Sequence, residues 1–155
     1  MQKPTLVSDL MSTDLYTLPE DADFTSANEI MKLERVRHIP VVRGKKLVGL
    51  VTHRDLLGAQ VTLLLAAREA AESDDDRAVS VSVSDIMSEA LLTCRPNEPA
   101  DDAARMMLDA KVGCMLVVED DRLVGILTET DVMSWAVEVM AKVRFETEPP
   151  PPPRP

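Results

Sequence analysis

At 155 residues with 45% hydrophobic content, the chain has room for one compact domain or for two small ones sharing a core. A formal charge of −10 argues against nucleic acid and anionic membrane surfaces as partners, since both require basic faces. Two cysteines make neither a disulfide framework nor a metal set, MQKPTLVSDL lacks a signal peptide's apolar core, and the longest apolar stretch is too short to cross a bilayer; a soluble, cytoplasmic protein without membrane insertion is expected.

In chain order, Leu15–Leu18 reads as a short strand, followed by a turn at Pro19. A helix comes next, with Asp23 as its N-cap and Phe24, Ala27, Ile30 and Met31 as its apolar stripe. The β-branched runs Ile39–Val42 and Leu47–Val51 flank Arg43-Gly44-Lys45-Lys46 and predict a hairpin, and a second helix starts at about His53. Glu69–Arg77, with its Ser73-Asp74-Asp75-Asp76 run, reads as a solvated linker, and Ala78–Val83 as an extended lead into the second half of the chain.

That second half repeats the first. Residues 7–56 return without a gap at 83–132, with 17 of 50 pairs identical: VSDLMS as VSDIMS, VVRGKKLVG as VVEDDRLVG, GLVTHRD as GILTETD. The expected elements are a strand at Leu91–Cys94, a turn at Pro96, and a helix with the stripe Ala103, Met106, Met107, Ala110. A hairpin of Met115–Val118 and Leu123–Leu127 and a helix from about Glu129 complete the copy. Each half is thus β-α-β-β-α. The division is 1–60 for the first repeat, 61–82 for a helix extension and acidic linker, 83–143 for the second repeat, and 144–155 for a proline-rich tail, polyproline II or disordered. The copies differ in charge: residues 7–56 hold seven Lys/Arg against eight Asp/Glu, and 83–132 hold four against eleven.

At GLVTHRD and GILTETD, together with V-S-D-[LI]-M and His38-Ile39-Pro40-Val41-Val42, the chain resembles the cystathionine-β-synthase (CBS) domain family over residues 7 to about 140. The resemblance implies an α/β (α+β) fold of two β-α-β-β-α repeats packed with pseudo-twofold symmetry, called a Bateman module. It also implies two clefts that often bind adenine nucleotides or other adenosyl ligands, and frequent dimerisation. Two departures stand out. Gly113-Cys114-Met115-Leu116 replaces Arg37-His38-Ile39-Pro40, losing the proline, and Glu129-Thr130 replaces His53-Arg54. Both weaken the expectation of phosphate binding at the second cleft.

Thr52-x-x-Asp55 and Thr128-x-x-Asp131 match a capping box. The same helix N-terminus suits a phosphate, while the Asp carboxylate can accept from ribose hydroxyls and the Thr hydroxyl can donate to a phosphate oxygen; a dual role is expected. His53 and Arg54 put positive charge where the helix dipole disfavours it, which suggests an anionic partner. Gly49 and Gly125 serve either close backbone packing or a ligand against bare backbone. The resemblance places Thr17, Leu18, His38, Ile39 and Pro40, with Thr93, Cys94, Cys114 and Met115 in the second copy, on strands lining the clefts, although plain core packing is an equal reading for Leu18, Ile39 and Met115. Cys94 and Cys114 are expected close together at the second cleft. Leu56–Ala67 is apolar around more of its circumference than one buried stripe needs, as are Met133, Trp135, Ala136, Val139 and Met140, and a homodimer through both terminal helices is expected.

The expectation is therefore a non-catalytic module binding AMP, ADP or ATP as a regulatory ligand, with no obligatory cofactor and an unidentified regulated protein as partner. A structural or dimerisation module with empty clefts is the alternative. An enzyme is disfavoured because Cys94 and Cys114 have no histidine in their half, and no metal cluster, Walker loop or Rossmann fingerprint is present.

Overall fold

The repeat in the sequence becomes a repeat in the backbone. In the computed structural model, which describes residues 4–73 and 80–147, the first copy supplies α1 (Val7–Leu10), β1 (Leu18–Pro19), α2 (Phe24–Leu33), β2 (His38–Arg43), β3 (Lys46–Thr52) and α3 (His53–Ser73). The second supplies α4 (Val83–Ile86), β4 (Thr93–Cys94), α5 (Ala100–Ala110), β5 (Cys114–Glu119), β6 (Arg122–Thr128) and α6 (Glu129–Thr147). The strands form one mixed sheet, ordered β1-β2-β3-β6-β5-β4, in which each copy contributes a hairpin with a parallel edge strand. The halves meet through one antiparallel pair, Lys46 with Arg122. Even the register irregularity recurs, at Val41/Val42 and again at Val117/Val118.

Helices and hairpins lie where periodicity puts them, and Asp23 caps α2 by accepting from the Ser26 backbone N–H at 2.8 Å. Several expectations are corrected. The edge strands are two residues long rather than four, because Leu15 and Leu91 leave the ladder to pack between the repeats. The buried stripe of α5 is Ala100, Ala103 and Met107, while Met106 and Ala110 are exposed. Helix α3 runs to Ser73, past the expected start of the linker at Glu69; Arg-Glu-Ala-Ala-Glu are good helix formers, and Arg68 pairs with Glu72 at 3.2 Å. Residue Val83 opens α4 instead of ending an extended run, with Asp85 accepting from the Ser82 N–H at 3.0 Å. Asp74–Asp76, the start of the 78–83 segment and the proline-rich tail from 148 lie outside the described residues.

The two V-S-D-h-M-S segments (h apolar) exchange places. Val83, fully buried, belongs to the core of the first repeat with Leu18, Ala27, Met31, Ile39, Val41, Val51 and Leu56. Val7, equally buried, belongs to the core of the second with Cys94, Ala103, Met107, Met115, Val117 and Leu127. Paired backbone hydrogen bonds fix the crossing: Ser12 with Ile126 and Ser88 with Leu50, each exchanging two bonds of 2.9–3.0 Å. Neither core is complete without the other copy.

Candidate functional site

The exchange carries Met11 onto Gly125 and Met87 onto Gly49, where any Cβ would fall on the methionine sulfur. Close packing, not room for a ligand, is therefore why glycine stands at both places. Just beyond, each hairpin ends in its Thr-x-x-Asp turn. The Thr52 N–H and hydroxyl both donate to Asp55 Oδ2 at 2.7 Å, and the Asp55 N–H returns to Thr52 Oγ1 at 3.3 Å. Thr128 and Asp131 repeat this at 2.8, 2.6 and 3.4 Å. The capping box is real in both copies, and it engages one carboxylate oxygen of each Asp, leaving Oδ1 without a hydrogen bond to the described residues.

A cleft of about 440 Å³ opens where the repeats meet. Leu15, Tyr16, Arg35, Arg37, His38 and Pro40 form one wall from the first copy, and Ile126, Thr128, Glu129 and Thr130 form the other from the second, with Ser12 and Asp14 at the crossing segment. The grouping differs from the sequence expectation. His38 and Pro40 share this cleft with the N-terminus of α6, and Thr52, His53, Arg54 and Asp55 do not line it. The physical reason is the pseudo-twofold: each hairpin faces the other copy's hairpin, so a cleft takes one wall from each. The α3 N-terminus, with His53 and Arg54 exposed, is the first copy's counterpart of this end of α6, and Lys111, Gly113, Cys114 and Leu116 are the second copy's counterparts of Arg35, Arg37, His38 and Pro40. The His53 N–H donates to the Arg37 carbonyl at 2.9 Å and the Glu129 N–H to the Gly113 carbonyl at 3.0 Å, so each helix start is tied to the residue that precedes its own copy's hairpin.

His38 sits near that axis. Its Nε2 would touch a Cβ on Gly113 at 3.2 Å, with the Glu129 carboxyl carbon beyond at 3.7 Å. Burial holds the imidazole below its ordinary pKa; Arg37 pushes the same way, while Glu129 and Asp55 oppose it. His38 is therefore neutral at pH 7.

The remaining candidates divide by face. Ile39 and Met115 are fully buried, and Leu18 and Cys94 nearly so; their side chains are core, leaving only their backbone for a ligand. Thr17 and Thr93 are exposed. The two cysteines do not share a cleft face. Cys94 is in register with Val117 and packs in the second core, whereas Cys114 alternates to the other face and packs with Leu116 and Ile126 between the repeats. Burial, with a smaller push from Glu98 and Glu129 respectively, raises the Cys94 thiol to about 11 and the Cys114 thiol to about 12, so both stay protonated.

Sequence reasoning missed Arg35, Arg37 and Tyr16. Arg35 follows the α2 cap in a left-handed conformation (φ 54°), matched by Lys111 (φ 55°) at the end of α5, so a cationic residue occupies the same backbone kink in each copy. A pair of arginines two apart ahead of His38 was the available signal. Among the described residues no group of three His, Cys, Asp or Glu is placed to hold a metal ion, and no helix is long and apolar enough to cross a membrane.

Comparison with known proteins gives a consistent result. The family model described as "CBS domain" matches residues 7–62 and again 83–138. The chain is 30% identical over 126 residues to a CBS domain-containing protein of Bacillus subtilis, covering 81% of each. It is 31% identical over 130 residues to a homoserine O-acetyltransferase of Methanohalobium evestigatum, but spans only 23% of that enzyme's length. Among solved structures it resembles CBSX2 (from Arabidopsis thaliana) in complex with AMP, at TM-score 0.70 and 28% identity, covering 87% of this chain and 98% of that one. It also resembles the CBS domain pair of the protein MJ0100 with 5′-methylthioadenosine and S-adenosyl-L-methionine, at TM-score 0.70 and 25% identity, covering 88% and 99%.

Proposed function

The chain belongs to the CBS domain family as a tandem pair, and from that premise we propose that it is a regulatory module sensing an adenine nucleotide such as AMP, ADP or ATP, with no chemistry of its own. Tandem CBS domains are typically regulatory rather than catalytic, and the solved CBSX2 and MJ0100 pairs both hold adenosine-type ligands. The observation that carries the reading is the cleft in which Arg35, Arg37 and His38 of one repeat face the helix N-terminus of the other. In this reading, with the repeats taken as 1–60 and 83–143, Asp131 Oδ1 at the α6 N-terminus and Asp55 Oδ1 at the α3 N-terminus accept from ribose hydroxyls. Thr52 and Thr128, whose hydroxyls donate to Asp55 and Asp131, hold those carboxylates in place, His53 and Arg54 offer the phosphate positive charge, and the backbone of Thr17–Leu18, Ile39–Pro40, Thr93–Cys94 and Cys114–Met115 reads the adenine edge.

The test is mass spectrometry of small molecules released on denaturing the freshly purified protein, with calorimetry against AMP, ADP and ATP alongside it. An adenosyl compound among the released molecules, or saturable binding of one nucleotide, is the expected result. Absence of both overturns the reading.

The terminal helices support assembly as well. Leu57, Val61, Leu64 and Leu65 on α3 and Met133, Val137 and Met140 on α6 are exposed, a run of large apolar side chains on each terminal helix that favours a partner. In our reading these faces pair in a homodimer, which light scattering at micromolar concentration checks; a monomer mass with and without nucleotide rules it out. The same faces favour the second reading, a structural module with empty clefts, which calorimetric silence combined with a dimer mass would select.

A further inference from the structure

Resting on the nucleotide-sensing reading, we propose that the cleft between the repeats is coupled to protons through His38. A nucleotide phosphate in the cleft draws a proton onto this imidazole, and the module binds its nucleotide more tightly as the pH falls. The cleft walls carry two guanidiniums, Arg35 and Arg37, and two carboxylates, Asp14 and Glu129. Their signs cancel, so the charge on one further side chain decides whether the cleft favours an anion. His38 is that side chain. It lines the same cleft, is half-buried, and its imidazole makes no hydrogen bond to the described residues.

Charged groups face His38 from three elements. Arg37 precedes it at the start of β2, Asp55 lies in the first turn of α3, and Glu129 opens α6 of the other repeat. The Glu129 carboxyl carbon and the His38 Nε2 both lie within 4 Å of the point where a Cβ on Gly113 would stand, so glycine there lets the imidazole reach across to the second repeat. Tyr16 in the cleft and Cys114 beside Gly113 both stay protonated and add no charge. Burial and Arg37 keep the imidazole neutral at pH 7 against the pull of Glu129 and Asp55. A phosphate beside Arg37 reverses that balance: it neutralises the guanidinium that opposes protonation and adds negative charge of its own. The sign follows by linkage. The bound form holds the proton more tightly than the free form, so affinity rises as the pH falls through the bound form's pKa and levels off below the free form's.

The chain has two histidines, His38 and His53, so proton NMR of the imidazoles reports the site directly, with His53→Gln to assign the signals. The tightest-binding of AMP, ADP and ATP should move the His38 titration to higher pH, and adenosine, which lacks the phosphate, should leave it in place. By calorimetry that nucleotide should gain about fivefold in affinity between pH of about 7.5 and about 5.5, over and above its change with His38→Gln. The second ionisation of the phosphate, near pH of about 6, affects both proteins alike and cancels. A bound nucleotide that leaves the His38 titration unmoved, adenosine shifting it as far, or an equal pH change in His38→Gln overturns the inference and leaves nucleotide sensing standing. If calorimetry detects no binding of AMP, ADP or ATP and no adenosyl compound is released from the protein, the nucleotide reading falls and the coupling with it.

Discussion

The two repeats agree at the residues that lock them together and differ in every charged side chain that lines the cleft. Of the identical pairs, Val7/Val83 and Met11/Met87 complete each other's cores, Gly49/Gly125 make room for those methionines, and Thr52/Thr128 with Asp55/Asp131 cap the long helices. Among the pairs with a member lining the cleft, Arg37/Gly113, His38/Cys114, Pro40/Leu116, His53/Glu129 and Arg54/Thr130 differ, whereas Ser12/Ser88, Leu15/Leu91, Val36/Val112 and Thr52/Thr128 are identical. A change at one of the locking residues must be matched across the halves, whereas a change of charge at the exposed cleft wall need not be, so a symmetric scaffold carries an asymmetric set of charges.

The largest effects should fall on the symmetric part, and equally on its halves. Val7→Asp or Val83→Asp buries a carboxylate in a filled core and should cost more than about 4 kcal/mol, enough to unfold most of the protein. Because each valine sits in the other copy's core, either substitution should abolish a single cooperative urea transition. Two separate transitions, with only one shifted, would show that the repeats fold independently and that the exchange is energetically minor.

Asp55→Ala and Asp131→Ala come next, and they split the comparison. Each loses a capping box, about 1 kcal/mol of stability, by the same amount in both copies. Each also loses hydrogen bonds to a bound ribose, about 1.5–3 kcal/mol apiece or roughly ten- to a hundredfold in affinity, at its own helix end. Asp55→Ala should weaken ATP and Asp131→Ala should leave the tight ATP phase intact. The reverse pattern in calorimetry would interchange the two clefts, and equal silence would leave capping as the whole role of both residues.

How far these residues could be read from the sequence depends on the range of their contacts. Periodicity reports neighbours along one element, and it located the hairpins, the long helices and the Asp23 cap. The Thr-x-x-Asp spacing is local, and its capping geometry is the one the structure shows. Which copy completes a cleft is a contact between residues far apart in the chain, and nothing local encodes it, so His38 was grouped with Arg54 rather than with Glu129. The same blindness hid the exchange of Val7 and Val83. It also put Cys94 beside Cys114, although strand alternation turns them to opposite faces.

Smaller effects come from the charges that differ. Arg54 is exposed, so Arg54→Ala should weaken AMP and ATP by about fivefold or less while sparing adenosine, and added salt should shrink even that difference. Titrations of the three ligands at two ionic strengths decide it. An equal loss for adenosine would place Arg54 against the nucleoside instead of the phosphate.

The smallest expected effect distinguishes the copies by pH. His38 is held neutral by burial, reinforced by Arg37 and opposed by Glu129 and Asp55, so its folded pKa lies below its unfolded value of about 6.5. The unfolded chain then binds the proton more readily, and the associated stability is fully present above pH of about 6.5 and lost as pH falls through the folded pKa. One group gives a slope of at most about 1.4 kcal/mol per pH unit, and half-burial should reduce it. In the second copy the same position is Cys114, whose thiol at about 12 does not titrate in this range. His38→Cys therefore copies repeat two into repeat one and should flatten the decline in urea stability between about pH 7 and pH 5. An unchanged slope in the variant would assign the decline to other groups, and His38 would then be no more pH-sensitive than the cysteine across the axis.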